Sequence, residues 1–365
     1  MDIYTIANLV EKGHYDFIAK CETQWHLIGL RAYLYSKFKS KQSVKGLVAI
    51  VSYKGKNLIN ENSIQFTKNI HIKYVVLSET SVKTKALLTL KSIFSFYPSK
   101  KKRIDIISPN TGWYTMAGLL SYKYTRIVEL DEGLASYNNN TQWLLAAYRE
   151  THSIINLCLS ATQSLAIKII KKRNRLVTID RKLFNYNGEK LILNSRVCES
   201  YKKTIVNDKI SIDNEPQGNY FLFLTQPLIE DNCICENDLA SFYNSLIQVF
   251  KTDKIFFKFH PRDISSPKLI PVEYHFINND VSAEILLSNI KNKPLGIIGF
   301  NSTALISCSI FFDSISISLV NLLEKKLYAK DMKKQFDDFV IKFDDVVFAP
   351  TDFSKMHQFI LKLKE

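Results

Sequence analysis

A chain of 365 residues with 46% apolar and 12% aromatic content is long enough for two folded domains, and no stretch approaches the roughly 18 consecutive apolar residues that a membrane span needs. Lysine and arginine exceed aspartate and glutamate by 14 (49 against 35), which points to an anionic partner: nucleic acid, an anionic membrane face or an acidic substrate. Six scattered cysteines and seven unclustered histidines speak against a disulfide framework or structural zinc, and Met1-Asp2-Ile3-Tyr4 lacks a basic, then apolar, leader, so a cytoplasmic home is expected.

Short β-branched runs at 15–19, 46–53, 72–77, 104–108 and 125–130 alternate with helical patterns, the signature of a parallel α/β sheet. Residues 135–173 read as helical, most clearly at 142–147 and 154–170. From 177 to 217 the pattern turns irregular, and Asn185, Asn187, Gly188, Asn207, Asn214, Pro216 and Gly218 give that stretch the composition of a domain connection. A second alternating series begins with the strand 220–224. It continues through a helix near 238–250, a strand at 254–259, further units at 274–277, 283–290 and 295–298, and a strand at 314–319. The expected organisation is a first α/β domain over 1–195, a linker over 196–218, a second α/β domain over 219–350, and a C-terminal helix over 351–365 that packs back on the first domain. The basic runs 100–103 and 171–175 read as solvated helix ends or loops, and no nucleic-acid module accompanies them.

Ligands of such sheets bind beyond the carboxyl ends of the strands, so the residues just after strands carry the chemical information. The strand 125–130 runs into Asp131-Glu132-Gly133: two carboxylates at a strand end, one a candidate general base, with glycine to turn the chain. The strand 254–259 runs into His260-Pro261-Arg262-Asp263. Proline keeps the preceding histidine extended, and a histidine there can donate a hydrogen bond or a proton to a departing phosphate. The strand 295–298 runs into Gly299-Phe300-Asn301-Ser302-Thr303, a glycine turn opening a helix whose first N–H groups and hydroxyls suit a phosphate. Each tripeptide alone is equally an ordinary polar turn, a packed histidine or an N-cap.

Taken in order, Asp131-Glu132-Gly133, then His260-Pro261, then Ser302-Thr303 resembles the bacterial sialyltransferases of GT-B architecture. The resemblance is to the polysialyltransferase and lipooligosaccharide sialyltransferase group, which shares a D/E-D/E-G motif, an HP motif and a later Ser/Thr pair. Cys21-Glu22-Thr23-Gln24-Trp25-His26-Leu27 is similar to that group's loop and helix start after the first strand, and Leu224-Thr225-Gln226-Pro227-Leu228 to the opening of its second domain. Ser282-Ala283-Glu284 is similar to its ribose-binding segment, without the proline usual there.

The resemblance implies two Rossmann-like domains facing a central cleft and an inverting transfer of sialic acid from CMP-sialic acid to a surface glycan. The implied acceptor is a terminal galactoside of lipopolysaccharide, lipooligosaccharide or capsule. Asp131 is then the first choice and Glu132 the second for the base, because neighbouring side chains on an extended segment point oppositely. His260 would act on the leaving phosphate, with Ser302, Thr303, Glu284, Pro261, Gly299 and Asn301 on the donor side and Thr23, Gln24 and Gly133 on the acceptor or phosphate-side loop. No Asp-x-Asp occurs in the chain, and neither a metal nor another cofactor is expected. A peripheral hold on anionic inner-membrane lipids is compatible with the charge, and no nucleic-acid partner is expected. The competing readings are a transferase of a related CMP-activated acid, an enzyme of the UDP-sugar 2-epimerase type, and a polyanion-binding protein.

Overall fold

A computed structural model describes residues 9–10, 12–38, 43–51, 59, 69–77, 100–109, 122–133, 137, 154, 158, 161–162, 165, 168–169, 177–187, 190–212, 215–250, 254–271, 275–277, 281–323 and 343–364. The chain divides into two compact units: Met1–Gly188 with Ile192–Thr204, and Glu189–Leu191 with Ile205–Glu365.

In the first unit β1 (Phe17–Cys21) is buried along its whole length, as a strand covered on both faces must be. It leads into α1 (Gln24–Phe38), followed by β2 (Val44–Val51), β3 (Ile70–Leu77), β4 (Lys100–Ser108), β5 (Tyr122–Leu130) and β6 (Val177–Arg181). All these strands pair in parallel in the order β3-β2-β1-β4-β5-β6. Phe17 in β1 stands opposite Gly46 in β2 and Asp105 in β4. Leu27, Leu30 and Leu34 of α1 pack with Val48, Ile107 and Val128 of the sheet in one apolar core. The basic run 100–103 forms the start of β4, with an irregular register between Lys100 and Arg103, and so belongs to the sheet instead of the expected loop or helix end. The described residues of the expected helix at 154–170 are helical; 142–147 and 171–175 lie outside the described residues.

The stretch read as an irregular connection is more ordered than its composition suggests. A two-stranded ribbon, β7 (Phe184–Asn187) with β8 (Lys190–Leu193), precedes α2 (Ser195–Asn207), which occupies much of the expected linker. Val197, Cys198, Tyr201 and Ile205 recur at helical spacing and are buried, and that burial stabilises a helix amid asparagine-rich turns.

The second unit repeats the design. β9 (Tyr220–Leu224), α3 (Glu236–Val249), β10 (Lys254–Lys258), β11 (His275–Phe276), α4 (Ala283–Asn289), β12 (Gly296–Gly299), α5 (Thr303–Phe312), β13 (Ser316–Ser318) and β14 (Val347–Phe348) precede the terminal helix α6 (Phe353–Lys362). The parallel order is β11-β10-β9-β12-β13-β14, so in both sheets the first strand is flanked by the second and the fourth, and the direction of winding reverses between the first and the fourth. Such a reversal opens a crevice at the strands' carboxyl ends. Aromatic rings fill this core: Phe223 lies 5.3 Å from Phe257 and 5.8 Å from Phe300, and Phe300 is 5.8 Å from Phe242. The terminal helix α6 packs on the core of the second unit. Its Met356 and Ile360 are buried in the second unit's own core, Phe353 meets Phe242 at 5.9 Å, and Phe359 stacks on Phe348 at 4.0 Å.

Candidate functional site

At the carboxyl end of β5 the alternation of side chains turns Asp131 inward, fully buried, and leaves Glu132 partly exposed. Four donors converge on the Asp131 carboxylate. Oδ1 accepts the Trp25 indole Nε1–H at 3.0 Å and the Gly133 N–H at 2.6 Å; Oδ2 accepts the Leu183 N–H at 2.9 Å and the Tyr137 hydroxyl. Gly133 has φ of 80°, a left-handed conformation that glycine adopts without a steric penalty, and this turn aims its N–H back at the carboxylate. Burial pushes the Asp131 carboxyl above the ordinary range, and the hydrogen bonds offset this only in part. Burial and the neighbouring Asp131 charge push the Tyr137 phenol far upward, so it stays a neutral donor.

The loop after β1 frames the same place. Thr23 caps α1, its Oγ1 accepting the His26 N–H at 3.3 Å, and Gln24 is the first helical residue, so Trp25 is projected from the first turn. The indole ring lies 5.1 Å from the ring of Tyr201 on α2. Tyr201 is itself fully buried, and a β-carbon at Gly29 would stand 2.3 Å from its hydroxyl oxygen, so only glycine at that point of α1 admits the phenol.

In the second unit the residues after β9 are the hub. The Thr225 Oγ1 accepts the His260 backbone N–H at 3.1 Å, which ties it to the loop after β10. On the other side, the Gln226 Oε1 accepts the Asn301 N–H at 2.9 Å, which ties it to the loop after β12. Asp231 grips Arg262 through Oδ1 at 2.8 Å and Oδ2 at 3.3 Å, and the Glu230 Oε1 accepts the backbone N–H groups of Ile264 and Ser265, each at 2.9 Å. The loop His260-Pro261-Arg262-Asp263, with Pro261 exposed, is thereby fixed to the central strand's exit. The His260 Nδ1 accepts the Arg262 N–H at 3.1 Å, so in the neutral ring the proton sits on Nε2. Burial, then the charges of Arg262 and Lys258, lower the His260 pKa from 6.5 to about 3, and the ring is neutral at physiological pH.

Gly299 ends β12, and Ser302 caps α5, its Oγ accepting the Ala304 N–H at 3.2 Å while its hydroxyl hydrogen can still donate elsewhere. Thr303 is the first residue of α5. Glu284 belongs to the first turn of α4 but is buried, unlike an ordinary exposed helical glutamate, and its Oε1 accepts the Ser307 hydroxyl of α5 at 2.6 Å.

Each unit therefore gathers part of the expected set. Asp131 and Gly133 meet the segment that Thr23 and Gln24 begin; His260, Asn301 and Ser302 gather around the exit of β9, and Glu284 is joined to α5 through Ser307. Trp25, Tyr137, Thr225 and Gln226 were not picked out from sequence as site residues. Thr225-Gln226-Pro227 had a signal, being polar residues directly after a wholly apolar strand; Trp25 and Tyr137 look like core aromatics until Asp131 is seen between them. Among the described residues no group of three or more His, Cys, Asp or Glu is placed to hold a metal ion, and no helix is long and apolar enough to cross a membrane.

Among solved structures the chain is similar to the UDP co-structure of MnaA from S. aureus, with 12% identity over 96% of this chain and 98% of that one at a TM-score of 0.47. It is also similar to the alpha/beta-galactoside alpha-2,3-sialyltransferase of Photobacterium phosphoreum, with 12% identity over 93% and 98% and a TM-score of 0.47. A third similar structure is the UDP-GlcNAc 2-epimerase of Methanocaldococcus jannaschii, with 10% identity over 95% and 92% and a TM-score of 0.47. No curated protein sequence matches the chain. The family model described as Alpha-2,8-polysialyltransferase (POLYST) matches residues 17–321, a span that opens at β1 and includes both strand-end motifs and the Ser302-Thr303 pair. On that match the chain belongs to the alpha-2,8-polysialyltransferase family and is a sialyltransferase.

Proposed function

We propose that the chain transfers sialic acid from CMP-sialic acid, with inversion, to a hydroxyl of a bacterial surface glycan. The observation that carries this reading is the hub at the exit of β9, where Thr225 and Gln226 bond to the His260 loop on one side and the Asn301 loop on the other. Imidazole, hydroxyl and helix N–H donors around one strand exit suit a donor with a single phosphate. Asp131 is assigned as the base, since burial gives it the raised proton affinity that a general base needs. It removes the acceptor hydroxyl's proton as that oxygen attacks the anomeric carbon, and CMP leaves with the bonding electron pair. His260 donates its Nε2–H to the departing phosphate oxygen, Ser302 and Thr303 add donors from the start of α5, and Glu284 is assigned to the ribose with its carboxylate fixed by Ser307. No metal is assigned to the reaction, and chelation with EDTA is expected to leave the rate unchanged.

The test is incubation with CMP-sialic acid and a panel of labelled galactosides, lactosides and oligosialic acids, followed by linkage analysis of the product. The family description makes a terminal sialoside the acceptor to set against the galactoside expected from the sequence. Acceptor-dependent CMP release supports the reading; turnover of a UDP-sugar with no CMP release overturns it.

A further inference from the structure

Four donors on two carboxylate oxygens use every acceptor position that Asp131 has, so a hydroxyl that is to give up its proton there must first take the place of one of them. Two of the four are main-chain N–H groups, from the turn at Gly133 and from Leu183 next to β7. The third, Tyr137, is held from both sides: its hydroxyl oxygen accepts the Phe184 N–H at 3.0 Å while donating to Asp131, and its ring meets Phe184 edge-on at 5.6 Å. The fourth is Trp25, partly exposed, in the first turn of α1, with a single polar atom in its ring system.

Resting on the assignment of Asp131 as the base, we propose that Trp25 is a positioning residue that covers the carboxylate in the unliganded enzyme. The acceptor's attacking hydroxyl displaces its indole N–H from Asp131 Oδ1. An arriving O–H then donates along the line the N–H vacates, and its proton passes to Oδ1 as the oxygen bonds to the anomeric carbon and the bond from that carbon to the phosphate breaks. The indole keeps water and adventitious cations off the carboxylate until an acceptor arrives, and the fixed donors from Gly133, Leu183 and Tyr137 hold the carboxylate still during the exchange. Among the described residues, the titratable and charged groups around Asp131 include the phenols of Tyr137 and of Tyr201 on α2, both pushed upward by burial, Glu132 next in the chain, and Asp180 and Arg181 of β6 near Tyr201. The two phenols stay neutral over the working pH range.

Trp25→Phe tests this, because it keeps an aromatic ring beside Tyr201 while removing the five-membered ring that carries the N–H. A donor lost from the ionised carboxylate makes Asp131 more basic, so the acidic limb of the kcat/KM profile for the acceptor is expected to move up by on the order of one pH unit, with donor KM unchanged. A tryptophan that only fills space would lower the rate at every pH without moving the limb, and an unmoved limb overturns the proposal; a moved limb establishes the bond to Asp131, and its displacement is read by fluorescence. Fluorescence gives an independent measurement that does not need the variant at Trp25. With Trp113→Phe and Trp143→Phe leaving Trp25 as the one emitter, titration with acceptor alone is expected to change its emission; emission unaffected by saturating acceptor overturns the proposal. Asp131→Asn separates the two levels. Activity retained in that variant sinks the base assignment itself, whereas its loss together with an unmoved Trp25→Phe limb sinks only the cover.

Discussion

The carboxylate of Asp131 receives four hydrogen bonds and is still pushed above its ordinary range, because no part of it touches water. Replacing it with asparagine swaps one acceptor oxygen for an NH2 group that faces donors. Asp131→Asn is therefore expected to lower kcat/KM on the order of 10²- to 10⁴-fold, while Glu132→Gln has a much smaller effect; steady-state CMP release checks both. His260 presents the opposite case, a base made weak by burial and by cations. His260→Ala removes a preorganised donor and is expected to reduce kcat on the order of 10²- to 10³-fold with little change in acceptor KM. The same burial has a stability consequence. The unfolded chain takes up the imidazole proton near 6.5 and the folded protein not until about 3, so stability is intact above 6.5 and falls as the pH drops through that window. The wild type is expected to lose up to about 1.4 kcal/mol per pH unit from this group, and His260→Gln to lose correspondingly less. Urea midpoints of the two proteins at pH 7 and pH 5 measure the difference.

The loop after β9 sets the spacing of the two loops that carry His260 and Asn301. Gln226→Leu leaves the Asn301 N–H without its acceptor and releases the loop before α5, a loss of about 0.5–1.5 kcal/mol for this part-buried hydrogen bond. The expected result is a raised KM for CMP-sialic acid with acceptor KM unchanged, read by initial rates with each substrate varied in turn. The pairing of α1 with α2 depends on glycine in the same local sense: at Gly29 a methyl group meets the Tyr201 hydroxyl at 2.3 Å. Gly29→Ala is expected to cost about 1–3 kcal/mol by overpacking and to disturb the Trp25 contact with Tyr201, measurable as a lower thermal midpoint and altered tryptophan emission. Strands β1, β2, β5, β9 and β10 were legible because apolar, β-branched and aromatic runs ending in polar turns have few other readings. α2 was not, because its four buried apolar residues are spread among charged neighbours and its flanks carry turn formers.

Two parallel sheets of the same strand order in one chain make the fold a repeated α/β design, and the net charge of +14 accompanies substrates that are themselves anionic in the proposed reaction. A hold on anionic lipid is a second use proposed for that charge. Co-sedimentation with vesicles containing acidic phospholipid is expected to weaken steeply as salt rises, and no dependence on acidic lipid would count against it. The sequence by itself determined the parallel α/β class and the order of the strand-end motifs, because hydrophobic period and turn chemistry are local properties of the chain. It also placed two adjacent carboxylates, Asp131 and Glu132, directly after a strand. Only the tertiary structure decided that Asp131 faces inward beneath Trp25, that the exit of β9 joins the loops of His260 and Asn301, and that Met356 and Ile360 of the last helix close the second unit's core. Each of these joins residues from 35 to more than 100 positions apart, and no local pattern encodes a contact whose partner is chosen by the packing of a whole sheet.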